Sequence, residues 1–384
     1  MIFLAGPRQV GKTTTALHLE NEAINFYYFN WDRLEDQTAI IQGAAVVAYE
    51  TRLEEAREGE TLIAFDEIHK YSKWKQFLKG FFDSYEDKTR IIVTGSAKLD
   101  IYRKGGDSMM GRYFLYRVHP LSIRELLSVE LPKDVIDSPK KISDEEFKQL
   151  FDFGGFPEPF LKRSVRFSTN WKRLRRQQLI REDVRDMTQI QELAGLEMLC
   201  TMLQASVGQL MNYHHFATLV NVSNPTIRRW FNCLESFYYC FHIKPWTKNV
   251  VRTLKREPKY YLWDWTLVTD QGARVENFIA SHLLKAVHFW TDYGLGDFDL
   301  FFLRDKEKRE VDFLVTKDQA PWFLVEVKTK NHSGISKSLY HFQEQTKAPH
   351  AFQVVFDMDY VDKDCFSYHK PVIVPAKTLL SQLI

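Results

Sequence analysis

The sequence predicts an α/β fold in three stretches: a P-loop NTPase parallel sheet, a helical middle and a C-terminal α/β unit. Three observations predict it. Residues 1–120 alternate short apolar runs with helical stretches, the pattern of a parallel sheet with right-handed crossovers. A glycine loop at 6–13 joins the first apolar run to a helix. From about 121 the pattern turns helical, and strand-like runs return only after 261.

Strands are expected at Ile2–Ala5, Phe26–Phe29, Leu62–Phe65, Ile91–Thr94 and Tyr113–Val118. The runs near 4, 63 and 92 are almost continuously apolar, as strands covered on both faces are. Beyond them, Ser122 and Glu125 have capping-box spacing, which opens a helix. Gly154-Gly155 and Pro157-Glu158-Pro159 punctuate the helical stretch. Residues 162–185 then carry nine Lys/Arg against Glu182 and Asp183. Residues 201–260 read as a small helical module with a basic tail. After 261 a helix is expected around 272–286, then strands at 298–303, 310–315 and 322–327. The expected partition is 1–130, 131–200, 201–260 and 261–384.

The 384 residues, 45% hydrophobic and 27% charged, suit a soluble chain of two or three domains with a sizeable core. Net charge is only +2, so a nucleic-acid partner would need a local basic patch. Cys200, Cys233, Cys240 and Cys365 have no CxxC spacing and read as reduced thiols of a cytoplasmic protein. No apolar run approaches the ~20 residues that cross a bilayer, so no membrane partner is expected. Residues 1–5 lack a basic n-region and read as a strand, not a signal peptide.

Gly6-Pro7-Arg8-Gln9-Val10-Gly11-Lys12-Thr13 matches GxxxxGK[ST] in full, and Thr14 follows it into the helix. Glycines let backbone N–H groups curl around phosphate oxygens. The helix that follows turns its positive end to the same anion. Lys12 would neutralise the β- and γ-phosphates of ATP, and Thr13 would place its hydroxyl on Mg²⁺. The apolar run 62–65 ends in Asp66-Glu67. Asp66 there would hold the Mg²⁺ shell, and Glu67 would polarise the attacking water as general base. The alternative for Glu67 is a solvated turn acid. Thr94-Gly95-Ser96 closes another strand. Ser96 would touch the γ-phosphate or the water, or else cap a turn. Arg112, after Gly111, reads either as an arginine finger toward a phosphate in its own or a neighbouring subunit, or as a surface arginine.

These residues resemble a known family. GPRQVGKTT, LIAFDEIHK, IIVTGSAKL, GRYFLYRVHPLSIREL and GGFPEP, in that order, resemble the AAA-type P-loop ATPases of bacteria and archaea that carry a C-terminal domain of unknown function. Gly272-Ala273-Arg274-Val275-Glu276-Asn277, Glu310-Val311-Asp312-Phe313 and Val325-Glu326-Val327-Lys328 extend the likeness over nearly the whole chain. The resemblance implies an ATPase core, a winged-helix-like middle and a C-terminal region like PD-(D/E)xK nucleases, with no established substrate. Members usually place a helical segment before the first strand to help enclose the base. The residues here open on the strand itself.

In the middle, Phe216–Val220, Asn221-Val222-Ser223 and Asn224-Pro225-Thr226-Ile227-Arg228-Arg229-Trp230 read as helix, turn, helix. Asn224 is the expected N-cap and Pro225 the first helical residue. Ile227, Phe231 and Leu234 would face the core. Thr226, Arg228 and Arg229 would face outward, as a DNA recognition helix requires. Residues 244–259, with Lys244, Lys248, Arg252, Lys255, Arg256 and Lys259, would form a basic wing. The alternative is a module that only packs domains together. At the C-terminus, Glu326 and Lys328 would share one strand face, with Asp312 on a neighbouring strand and Glu276 on the preceding helix. Two carboxylates holding Mg²⁺ and a lysine acting on water suit phosphodiester cleavage. A fold that no longer cuts is the alternative.

Two functional classes follow. One is an ATP-driven enzyme acting on nucleic acid, DNA before RNA. The other is a nucleotide-dependent switch whose C-terminal domain binds a protein partner.

Overall fold

The five apolar runs of the first stretch are strands in a computed structural model that describes residues 1–57, 59–95, 109, 111–132, 134–184, 192–247, 257–330 and 334–384. They are β1 (Ile2–Ala5), β2 (Asn25–Asn30), β3 (Thr61–Asp66), β4 (Thr89–Gly95) and β5 (Phe114–Arg117), all parallel, in the order β2-β3-β4-β1-β5. Alternate side chains leave opposite faces of a strand, and both faces are covered. On one, Phe3, Phe29, Ile63, Phe65 and Val93 pack under Trp74, Leu78 and Phe81 of helix α4 (Trp74–Tyr85) and under α2 (Leu34–Gln42) and α3 (Ala44–Glu50). On the other, Leu4, Leu62, Ala64 and Ile92 pack with Ala16 of α1 (Lys12–His18).

The register decides where chemistry collects. Ala5 lies opposite Gly95 and Arg117, and Asp66 lies opposite Asn30 and Thr94. The carboxyl ends of β1, β3 and β4 therefore come level at one sheet edge, where α/β folds bind ligands.

This first compact unit is Met1–His119, and a second spans Pro120–Ile384. The second opens on α5 (Ile123–Leu127), whose capping box is complete: Ser122 Oγ accepts from Glu125 N, and Glu125 Oε2 accepts from Ser122 N. Then come α6 (Asp144–Phe153), α7 (Pro157–Lys162), α8 (Val165–Gln178), α9 (Leu193–Ala205), α10 (Tyr213–Val220) and α11 (Asn224–Ser236). The expected helix–turn–helix is α10 and α11, and Ile227, Phe231 and Leu234 are fully buried. Its cap differs by one residue. Ser223, not Asn224, accepts the Thr226 N–H at 3.2 Å, so Pro225 falls second in the helix.

The two ends of the expected wing, Lys244–Pro245 and Lys259, lie in strands of a larger sheet, and residues 248–256 between them lie outside the described residues. Strands β6 (Cys240–Pro245) and β7 (Lys259–Leu262) are antiparallel, and β6 also pairs parallel with β8 (Phe298–Arg304). With β9 (Glu310–Lys317), β10 (Ala320–Lys328), β11 (His350–Val355) and β12 (Val372–Pro375) they form a seven-stranded sheet ordered β12-β11-β10-β9-β8-β6-β7. Residues 201–260 and 261–384 thus share one sheet inside one unit. A 22-residue helix, α12 (Gln271–Asp292), buries Val275, Phe278, Leu283 and Trp290 in the same core.

Candidate functional site

The P-loop occupies the carboxyl edge of the first sheet because its glycines permit it. A β-carbon on Gly6 would lie 2.1 Å from the Val118 carbonyl oxygen, so only glycine fits there. Gly11 enters α1 at φ +100°, a conformation that favours glycine. Pro7 and Val10 are buried, Arg8 is half-buried, and Gln9 and Thr14 are exposed. Lys12 is 6% exposed, and its ammonium donates to the carbonyls of Gly6 (3.0 Å) and Pro7 (2.6 Å).

Opposite the loop, Asp66 is buried, and three hydroxyls point at its carboxylate. Thr13 Oγ1 donates to Oδ2 at 2.9 Å and the Tyr28 hydroxyl to the same oxygen at 2.6 Å, while Thr94 Oγ1 donates to Oδ1. Burial and the bond to Asp66 push the Tyr28 phenol well above its ordinary range. Hard oxygen donors on a hydroxyl and a carboxylate fit Mg²⁺, which takes few protein ligands and keeps water and phosphate oxygens. The sequence marks Thr94 only as part of the strand end Thr94-Gly95-Ser96 and gives Tyr28 no role. Their signal was position: each sits at or near the carboxyl end of a parallel strand.

Glu67 follows in the left-handed region (φ 55°), its N–H on the Thr94 carbonyl at 3.0 Å. Its carboxylate lies 3.6 Å from His69 Nε2 and 3.7 Å from Lys70 Nζ. Burial pulls the His69 imidazole below its usual range, and among the described residues neither ring nitrogen has a hydrogen-bond partner. Ser96 lies outside the described residues.

Arg112 lies away from the P-loop edge. Phe114 pairs with Ile2, so Arg112 lies at the amino edge of the sheet, a strand length (roughly 13 Å) from the P-loop edge. There it forms a fork with Asp83 of α4, with N–O distances of 2.6 and 3.0 Å.

In the second unit four acids gather where α12 meets β7, β9 and β10. Asp312 Oδ2 accepts the Val327 N–H at 2.8 Å. Lys328 Nζ lies 2.8 Å from Glu326 Oε1, whose partner oxygen Oε2 is buried without a hydrogen bond. Glu276 accepts from the Tyr261 hydroxyl at 2.7 Å. Lys259, 3% exposed, bridges Glu310 (2.6 Å) and Glu276 (3.5 Å). Burial first, then the charge of Asp312, pushes both Glu276 and Glu326 up to about 7, and burial raises Asp312 as well. Among the described residues no three His, Cys, Asp or Glu side chains close into a ready-made metal cage. Lys259 is a correction: expected in a solvent-facing wing, it is an internal counter-ion, because β7 is buried in the sheet. Lys248, Arg252, Lys255 and Arg256 of that wing lie outside the described residues.

The basic run 162–185 also divides. Lys162, Arg163, Arg166 and Arg173 are exposed. Arg176 donates to the Glu197 carbonyl at 2.8 Å, Arg181 pairs with Glu197 at 3.0 Å, and Arg185 lies outside the described residues. Arg228 and Arg229 are exposed, Arg228 over the Tyr213 ring at 4.1 Å.

Residues 1–127 match the model of the AAA domain. The first unit is thus AAA-like, of the P-loop ATPase type. Residues 144–273 and 271–372 match two domains of unknown function, DUF8612 and DUF4143. Over 354 residues the chain is 23% identical to uncharacterized proteins of Mycobacterium tuberculosis and Mycobacterium bovis, covering 88% of this chain and 72% of each relative. An uncharacterized protein of Haemophilus influenzae is 22% identical over 365 residues, 90% of this chain and 86% of that one. The solved structure of C. elegans PCH-2 is similar at 12% identity, over 60% of each chain and with a TM-score of 0.24. The chain spans about three fifths of that protein's length, and likeness at this level carries neither fold nor function across. Among the described residues no helix is long and apolar enough to cross a membrane.

Proposed function

We propose that the chain binds and hydrolyses ATP with Mg²⁺ in its first unit and acts on nucleic acid, DNA before RNA, through its second. One observation carries the nucleotide half: the 2.9 Å hydrogen bond from the P-loop Thr13 to Asp66, which brings the two elements of a phosphate–metal site face to face. Lys12 would trade its bonds to the loop carbonyls for the β- and γ-phosphates. Bound Mg²⁺ would neutralise phosphate charge and orient its oxygens, held from Thr13 and Asp66. Glu67 would take a proton from water, with Thr94 fixing the strand end beside it. Arg112 would reach a phosphate only in a neighbouring subunit of an oligomer, after leaving Asp83. Four free, buried cysteines fit a reducing cytoplasmic setting.

The test is nucleotide binding followed by turnover. Lys12→Ala should remove ATP binding. Glu67→Gln should keep it and lose hydrolysis, since an amide cannot accept the proton. If no nucleotide with Mg²⁺ shifts the unfolding temperature of the wild type, this reading falls.

Metal-dependent phosphodiester cleavage in the second unit is favoured by the raised acids around Asp312. Carboxylates crowded in a buried site hold protons unless a cation joins them. Asp312 and Glu326 would hold Mg²⁺ with Glu276 beside them, and Lys328 would position water. Plasmid or single-stranded DNA should be nicked with Mg²⁺ or Mn²⁺ by the wild type, and not by Asp312→Ala or Lys328→Ala. An uncut substrate in both metals leaves the alternative: a nucleotide-dependent switch whose second unit binds a protein partner.

A further inference from the structure

The corner formed by Gly154–Phe156, α8 and the start of α12 holds a cluster that neither site uses. Arg175 of α8 lies over the ring of Phe156, its guanidinium carbon 4.0 Å from the ring centroid, and 5.3 Å from that of Trp171. It is half-buried and makes no hydrogen bond among the described residues, although a guanidinium carries five donors. Lys172 and Arg274 share the corner with it. All three cations feel the charge of one buried carboxylate, Asp264, which is 3% exposed. Asp264 is itself engaged, accepting from the Thr266 N–H at 3.0 Å and its hydroxyl at 2.5 Å. The other acid near Arg274, Asp152, is paired with Lys148. Among the described residues two further donors lack hydrogen-bond partners: Trp171 Nε1 and Arg274 Nε, both buried.

Part of the cluster has a structural task. Arg274 donates to the carbonyls of Phe151 and Asp152 at the end of α6 (2.5 and 3.1 Å), and Lys172 to the Thr266 carbonyl at 3.3 Å. These bonds fasten the corner but bring no negative charge. These three cations and Lys148 against two carboxylates, Asp264 and Asp152, leave an excess of positive charge. Burial accordingly pulls Lys172, Arg175 and Arg274 below their ordinary basicity. Arg175 differs from the other two in touching rings and, among the described residues, no hydrogen-bond acceptor. A planar fork held flat by aromatic faces matches the oxygens of a phosphate group.

We propose that this corner is an anion site of the second unit, in which Arg175, steadied by Phe156 and Trp171, binds a phosphate-class oxyanion. The phosphate belongs either to a free small molecule or to a nucleic-acid backbone. The second source rests on the nucleic-acid reading above and would place one backbone phosphate beside the exposed cations of α8.

The test uses the full chain carrying Lys12→Ala, so that the P-loop takes no phosphate. Thermal unfolding is followed in inorganic phosphate, in pyrophosphate and with a short single-stranded DNA, each against chloride at matched ionic strength. The expected result is a rise in Tm with at least one phosphate species. Arg175→Gln should abolish it, and Gln177→Ala, at an exposed uncharged position of the same helix, should leave it intact. Should Arg175→Gln fail to fold, Arg175→Lys keeps the charge without the fork and should weaken the apparent affinity about tenfold. No rise with any species, or a rise that either Arg175 variant leaves unchanged, overturns the proposal. Stabilisation by inorganic phosphate through Arg175 without DNA binding would retain the site and remove the nucleic-acid reading. DNA binding indifferent to Arg175 would do the reverse.

Discussion

The acids at the end of β3 and those between α12, β9 and β10 are the same residue types in different surroundings. Asp66 takes three hydroxyl hydrogen bonds, from Thr13, Tyr28 and Thr94, at an edge where the P-loop backbone does the wrapping. Asp312, Glu276 and Glu326 sit among one another with one buried ammonium, Lys259, and one exposed, Lys328, and two of them are raised to about 7. The first site spends backbone and hydroxyl dipoles, and these stay in place whatever the pH. The second relies on full charges in a low-dielectric setting, where every change of proton or metal is felt. The first site should therefore break by geometry and the second by charge.

The largest effects should come from breaking the P-loop's shape. Gly6→Ala pushes a β-carbon to 2.1 Å from a backbone oxygen. Like Lys12→Ala, it should weaken ATP at least about 100-fold, close to 3 kcal/mol by titration calorimetry. Glu67→Gln should bind ATP normally and turn over about 100- to 10,000-fold more slowly. If instead its binding falls as far as that of Lys12→Ala, the division of roles between loop and acid is wrong.

Next in size is the pH response of the second site. Folding raises Glu276 and Glu326 from about 4.5 to about 7, so in that window the folded chain holds their protons more tightly than the unfolded one. Their contribution to stability is thus greatest at low pH, falls as pH rises through 4.5 to 7, and is flat above. In metal-free buffer at pH 8, Glu326→Gln should stabilise the second unit by about 1–3 kcal/mol in urea unfolding. At pH 5 the gain should shrink sharply. Mg²⁺ should raise the wild-type Tm at pH 8 and do nothing for Asp312→Asn. A pH-independent effect of Glu326→Gln would mean that the acids are not charged by rising pH in the folded state.

Two smaller tests sharpen the contrast. Tyr28→Phe removes one of three hydroxyls on Asp66 and should raise the Mg²⁺ concentration needed for tight ATP binding about three- to tenfold, by about 0.5–1.5 kcal/mol. Metal-free nucleotide binding should be unchanged. Ser223→Ala should cost about 1 kcal/mol through the lost cap of α11, while Asn224→Ala costs less. Equal losses at the two positions would reassign the cap.

What the sequence determined by itself was whatever is decided between neighbours along the chain. The loop 6–13, its glycines, the helix after it and the apolar strands were legible because their contacts are local or set by runs of one residue type. The helix–turn–helix at Tyr213–Ser236 and the long helix before β8 were legible from periodicity for the same reason. Tertiary structure alone decided which charges face which. Lys259 read as a surface wing because nothing near it in sequence says that β7 joins a seven-stranded sheet and points it at Glu276 and Glu310. Arg112 read either as an arginine finger or as a surface arginine, and only strand polarity puts it at the amino edge of the sheet, on Asp83. Tyr28 became a partner of Asp66 only through the pairing of β2 with β3. A charged side chain's role depends on its partners and on the local dielectric. Both are set by residues brought together across long stretches of chain, and no pattern of neighbours encodes them.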